Sequence, residues 1–319
     1  MEIKLSKKQE QNKDKKIAKL STDSKQTIIG YLFISPWLIG FLLLTLWPMV
    51  QSLYLSFTRY SLLDTPKWIG LTNYSNIFFN DPLFTKSLSV TFAFVLIAVP
   101  LKLMFSLFVA TLLNKDVRGM SFYRTAIYFP SLIGGSIAVS ILWRNIFGID
   151  GYANLILGIF GVAKIAWIAD PSTALGTLIL LNVWQFGATM IIFLAGLKSV
   201  PKDLYEAASI DGAGKVRTFF NVTIPMLSSV IFFNLILGII GAFQMFNSAF
   251  IITQGGPANA TLLYALFLYN KAFKSFKMGY ASSLAWILLV IIAVFTAINF
   301  LASKYWVFYE DDSTGGKRK

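Results

Sequence analysis

Six side chains lying inside long apolar stretches could do chemistry: Asn182, Trp184 and Gln185 in one, Gln244 and Asn247 in a second, and Lys102 in a third. Carboxamides donate and accept hydrogen bonds without titrating, and an indole adds an apolar face with one N–H. That mixture suits a sugar, whose hydroxyls need partners and whose ring faces are apolar. The competing reading is that these amides bond helix to helix. Lys102, two residues after Pro100, is the one formal charge deep in any such stretch. Left alone in a bilayer it would cost at least about 2.5–3.5 kcal/mol. It must meet a backbone carbonyl or a partner subunit, or reach water; on a hydrated path it would favour an anionic sugar such as a uronate-containing oligosaccharide.

Bond-making chemistry has little to work with. The 319 residues contain neither cysteine nor histidine, which removes disulfides, thiolate or imidazole metal sites and the Ser-His-Asp and Cys-His nucleophiles. No GxxxxGK[ST] phosphate loop is present: Gly214 and Lys215 are adjacent, but Ser209 takes the earlier glycine position and Val216 follows. Asp150 and Asp170 are too isolated to make a membrane-face enzyme site. No metal or cofactor is expected, and any ATP hydrolysis must occur on another chain.

The elements that position these residues are membrane spans. With 56% hydrophobic and 13% charged residues, the chain has too much apolar surface for a soluble domain of its size. At about 1.5 Å per residue, roughly 20 residues cross an apolar core of about 30 Å. Six stretches qualify: about Ile28–Val50, Ser87–Leu113, Ala126–Phe147, Thr173–Leu197, Met226–Ile252 and Ser282–Ser303. None contains Asp or Glu, which disfavours coupling to a proton or sodium gradient. The tail of residues 1–26 carries eight lysines against Glu2, Glu10, Asp14 and Asp23, which puts the N-terminus in the cytoplasm, and it has no cleavage site of a signal peptide. Its basicity lacks the interleaved aromatics of a nucleic-acid-binding arm, so anionic lipid is the expected contact. Six crossings return the chain to the inside, where Lys317, Arg318 and Lys319 end it.

Between the fourth and fifth spans lies the polar run 199–227, SVPKDLYEAASIDGAGKVRTFFNVTIPML. It reads as two short helices, with Pro201 near the first helical position, Asp203 and Glu206 near the positive N-terminal end, and Gly212 and Gly214 stopping the first helix. Leu204, Ala207 and Ala208 share a face beside Glu206, so another protein surface can approach closely and meet a carboxylate. The order Glu206, Ala207, Ala208, Gly212, Val222, Thr223, Ile224, Pro225 resembles the EAA loop of ABC importer membrane subunits, specifically permeases of binding-protein-dependent sugar uptake systems of the maltose and multiple-sugar type. Val222 and Ile224 stand where the family has isoleucine and leucine.

This resemblance implies an all-α polytopic membrane protein of about six transmembrane helices. The coupling loop 199–225 would carry Glu206, Ala207, Ala208, Asp211, Gly212 and Pro225 to a cytoplasmic ABC ATPase dimer. The permease domain would run over 27–303, with a cytoplasmic tail at 304–319. Further implied partners are a second permease subunit, an extracellular solute-binding protein and a sugar or oligosaccharide, with no nucleic acid. Trp184, Gln185, Gly241 and Ala242 fall near the family's sugar-contacting positions, and Ala242 stands where maltose-type members have asparagine. Residues 68–84 and 253–260 are similar to its outer segments.

Lys271, Lys274 and Lys277 run against the lysine bias, since they would lie outside with no acid near them in sequence. Snorkelling from an amphipathic surface helix is one account, and a dock for an acidic face of the binding protein is the other. The rival functions are an ion-coupled carrier or channel, or a membrane-embedded transferase.

Overall fold

In a computed structural model, residues 27, 29–61, 64–115 and 117–308 are described. The lysines of the tail 1–26, together with Lys317, Arg318 and Lys319, lie outside them. The chain divides into two compact units, 1–56 and 57–319. The first contributes one long helix, α1 (Ile29–Ser56), broken only by a π-helical turn at Leu42–Leu46. None of its most apolar window is buried within the chain, as expected of a helix whose solvent is lipid or another subunit.

The second unit opens with a two-residue antiparallel ribbon, β1 (Thr58–Arg59) and β2 (Lys67–Trp68), pairing Thr58 with Trp68 and Arg59 with Lys67. Next come α2 (Thr72–Asn80) and the 32-residue α3 (Pro82–Leu113). Asp81 caps α3 by accepting from the Leu83 amide at 3.1 Å, and Pro82 occupies the first turn, where no N–H is missed. Then follow α4 (Met120–Ile133), α5 (Ile137–Ile146), α6 (Tyr152–Ile159), α7 (Ala174–Trp184) and α8 (Gly187–Ser199). The polar run forms α9 (Lys202–Ile210) and α10 (Lys215–Thr218). The chain finishes with α11 (Ser228–Phe243), α12 (Asn247–Ile252), α13 (Tyr264–Tyr269) and α14 (Met278–Ser303).

Among the described residues four helical stretches are long and apolar enough to cross a membrane, and six if each of two bent pairs counts as one. The third expected span is not straight: α4 and α5 meet at 97° around Gly134–Ser136, and α7 and α8 meet at 44°. Ser136 explains the first break, because its hydroxyl accepts from the Val139 amide and starts α5 afresh.

The central helix α3 packs on α7, α8 and α11. Two apolar cores form along it. One surrounds its N-terminal half, with Phe84, Phe94 and Ala98 against Leu178, Phe243, Tyr264 and Leu284. The other joins Val109, Ala110 and Leu113 to Met190, Phe193, Leu197, Val200 and Leu227. Leu103 touches both cores, so the turn bearing Lys102 lies where apolar packing changes hands.

Candidate functional site

Three chain breaks open toward that turn. They fall at Gly134–Ser136, at Gln185–Phe186 and at Gln244–Phe246. Two are stitched together: Gln185 Nε2 donates to the Gly134 carbonyl at 2.6 Å, and Ser131 Oγ accepts from the Gly187 amide at 2.7 Å. The third partner is α3 itself. Ser106 Oγ lies 2.6 Å from the Lys102 carbonyl and 3.3 Å from that of Phe186. A Cβ on Gly134 would come within 2.7 Å of Gln185 Cγ, and one on Gly187 would collide with Ser131. Glycine is required at both for the bent helices to touch.

The breaks enclose a cavity of about 460 Å³. Of the six residues the sequence singles out, Lys102, Asn182, Gln185, Gln244 and Asn247 line it, as do Gly241 and Ala242. Trp184 does not. Its indole packs 5.8 Å from that of Trp143 in the N-terminal core, because one residue along a helix turns a side chain by about 100°. The aromatic that faces the cavity is Phe246, stacked on Phe250 at 5.3 Å and braced by Tyr269. Sequence reading missed it, along with Thr189, Asn234 and Ser248, which also line the wall. An amide in an apolar run signals Asn234 as plainly as Gln244; nothing in sequence separates Phe246 from the core phenylalanines around it.

The amides divide in two. Gln185 is committed to Gly134, and Asn234 donates to Val230 O one turn back in its own helix at 2.9 Å. The side chains of Asn182, Gln244, Asn247 and Lys102 make no hydrogen bond or ion pair with any described residue of the chain. Polar groups left open toward a cavity inside an apolar bundle can be satisfied by water or by a solute's hydroxyls.

The second constellation lies at the C-terminal end of α3. Asp203 stands in the first turn of α9, Pro201 is its N-cap, and Asp211 its C-cap. Gly212 follows with φ +72°, and Ala213 N bonds to Ala208 O at 2.9 Å, a left-handed closure that glycine adopts freely. Gly214, expected to help stop α9, instead caps α10. Tyr205 Oη and Thr223 Oγ1 meet at 3.2 Å, tying α9 to the π turn that ends at Thr223, just before Pro225. Glu206 and Ala207 are exposed and Ala208 half-buried. Leu204, Ile210, Val216 and Phe220 are exposed apolar neighbours, Ile210 at 86%.

At the other end of α3, Lys271 has an acid after all. Its Nζ lies 2.7 Å from Asp81 Oδ2, which also accepts from the Tyr280 hydroxyl at 2.7 Å, and the ammonium sits 5.1 Å from the Phe267 and Tyr280 ring centres. Burial pushes the Asp81 carboxyl up. The hydrogen bonds from Lys271 and Tyr280, the lysine charge and the Leu83 amide outweigh that and hold it below the ordinary carboxylate value. Neither snorkelling nor a free docking charge describes Lys271. Lys274 lies over Phe250 at 5.8 Å, and Lys277 lines a separate polar concavity of about 800 Å³ with Arg59, Lys67 and Asn76. No group of three or more metal-ligating side chains occurs among the described residues.

Residues 74–305 match the family model described as binding-protein-dependent transport system inner membrane component. The chain is 53% identical over 289 residues to the probable ABC transporter permease protein YesP of Bacillus subtilis (strain 168), covering 90% of this chain and 94% of that one. It is 34% identical to the lactose transport system permease protein LacF of Rhizobium radiobacter, over 86% of this chain and 94% of that one. The arabinooligosaccharides transport system permease protein AraP of Halalkalibacterium halodurans is 33% identical, over 85% and 86% of the two chains. A chain in the crystal structure of a bacterial ABC transporter that imports the acidic polysaccharide alginate superimposes with a TM-score of 0.79 at 19% identity, covering 90% of this chain and 98% of that one. With the broken-helix bundle and these likenesses together, the chain belongs to the family of binding-protein-dependent transport system inner membrane components, the ABC transporter permeases.

Proposed function

We propose that this multi-pass membrane protein is one half of the translocation path of an ATP-driven importer, and that the cavity at the helix breaks receives a sugar or oligosaccharide in transit. The observation that carries this is the open set of Asn182, Gln244, Asn247 and Lys102 around 460 Å³ of space, beside the Phe246 ring. Lactose and arabinooligosaccharides, for which LacF and AraP are named, support a saccharide. A single bundle of this size encloses a sugar path poorly, so a second permease subunit would complete the wall. An external solute-binding protein would deliver cargo.

The α9 face with exposed Glu206 and Ala207 and half-buried Ala208, bordered by Leu204 and Ile210, fits the groove of a cytoplasmic ATPase. Asp211, Gly212 and Pro225 set the loop's shape. ATP binding by two such subunits would draw the α9 helices together and open the path outward, and hydrolysis would reset it. Both termini would then be cytoplasmic, and the permease itself makes and breaks no covalent bond. The cavity wall carries no Asp or Glu, which argues against ion coupling.

The test is Glu206→Arg in the assembled transporter. Uptake of the cognate sugar should fall at least tenfold, and the ATPase should be lost from the complex on purification. Unchanged uptake and retention would overturn the assignment of α9.

A further inference from the structure

We propose that the cavity is built for a saccharide bearing a carboxylate, and that Lys102 is the residue that reads it. This rests on the cavity being the translocation path. Lys102 is the only formally charged residue of the wall. The two ion pairs among the described residues are Lys164–Asp150 and Lys271–Asp81, so Lys102 has no counter-charge among them. Its turn is not free to swing away, because Ser106 holds the Lys102 carbonyl and the α7–α8 break together. Counting from the ends of α3, it lies about 30 Å from Asp81 and about 17 Å from Leu113, far beyond the reach of a lysine to either end.

An ammonium kept at that depth needs an anion or water, and the surrounding amides supply only dipoles. A neutral sugar passing through would strip water from the ammonium and return no charge. A uronate would return one negative charge to one positive charge, and its hydroxyls would meet Asn182, Gln244 and Asn247. The occupant assigned is therefore a uronate-containing oligosaccharide.

The complete transporter, with its binding protein and ATPases in proteoliposomes, tests this. Uptake is compared for oligogalacturonides and alginate-derived oligosaccharides, each against the neutral oligosaccharide made by reducing its carboxylates. The binding protein is the same throughout, so its own preference cancels in the wild-type to variant ratio. Lys102→Met should lower the acidic-to-neutral ratio at least tenfold, and Lys102→Arg should restore it to within about threefold. If Lys102→Met does not assemble, Lys102→Gln carries the same comparison. An acidic-to-neutral ratio unchanged by Lys102→Met would overturn the proposal. So would failure of every Lys102 variant except Arg to assemble, which would make the lysine a subunit contact.

The path itself is tested separately at Gly241. A Cβ there meets nothing within 4 Å, so a side chain at 241 enters open space of the cavity, and Gly241→Trp should stop uptake of both members of a pair. Normal uptake by that variant removes the path reading, whatever Lys102 does.

Discussion

At the scale of single residues, the contact most exposed to test is the one between Gln185 and the Gly134 carbonyl. It closes one break against another, with Gly134 buried and Gln185 half-buried. Gln185→Leu keeps the volume but leaves the carbonyl without its donor, a loss of about 1–3 kcal/mol. The melting temperature of the detergent-solubilised protein should drop by several degrees, whereas Asn182→Leu, which removes no internal bond, should leave it nearly unchanged. Asp81 gives a second test. Its carboxyl is held below the ordinary value, so its stabilising contribution is complete above the unfolded value of about 3.9 and is lost as pH falls below it. Lowering pH from 5 toward 3 should therefore destabilise the wild type more steeply than Asp81→Asn. Equal slopes would show that the Lys271 pair contributes nothing. At neutral pH, Asp81→Ala should cost about 1–3 kcal/mol, between the values for an exposed pair and a fully buried one.

At the scale of elements, α9 and the broken helices answer different questions. The αL closure at Gly212 lets α9 end and the chain reverse into α10 within a few residues. A side chain there costs about 1–2 kcal/mol, and since Cβ at 212 meets no neighbour, the whole cost is conformational. Gly212→Val should leave the bundle's melting temperature within a degree or two while raising proteolysis at residues 210–216. The broken pairs α4–α5 and α7–α8 were legible in sequence only as apolar length. Gly134, Gly135 and Ser136 are helix-tolerable one at a time, and it is the close approach of Gln185 and Ser131 that makes their bend a requirement. Trp184 shows the same limit from the other side. Its type suits a sugar site, yet its angular position on α7 sends it to Trp143, and Phe246 takes the cavity face.

At the scale of the whole molecule, a chain without cysteine offers a clean background for topology. Single cysteines at Ile210, on the α9 loop, and at Lys164, which pairs with Asp150 on a loop at 2.6 Å and is largely exposed, should label from opposite sides of intact cells: 164 from outside, 210 only after permeabilisation. Labelling of both from one side would undo the proposed orientation. The basic segment 271–277 need not weigh against that orientation, since the pairing of Lys271 with Asp81 neutralises the charge the lysine bias would have counted.

Composition and order along the chain were enough to establish a membrane protein of several apolar helices, without cysteine or histidine, with a polar loop of family-like spacing between two spans. These depend on local quantities: apolar length, charge, and residue type at a given spacing. What only the folded molecule decided is which polar residues share a space and which are already satisfied. Lys102 comes from α3, Asn182 from α7, Gln244 from the end of α11 and Asn247 from the start of α12, positions separated by up to 145, and Asp81 meets Lys271 across 190. Such meetings follow from how α3 packs against its neighbours, and from a rotation of about 100° per residue that a list of residues does not record.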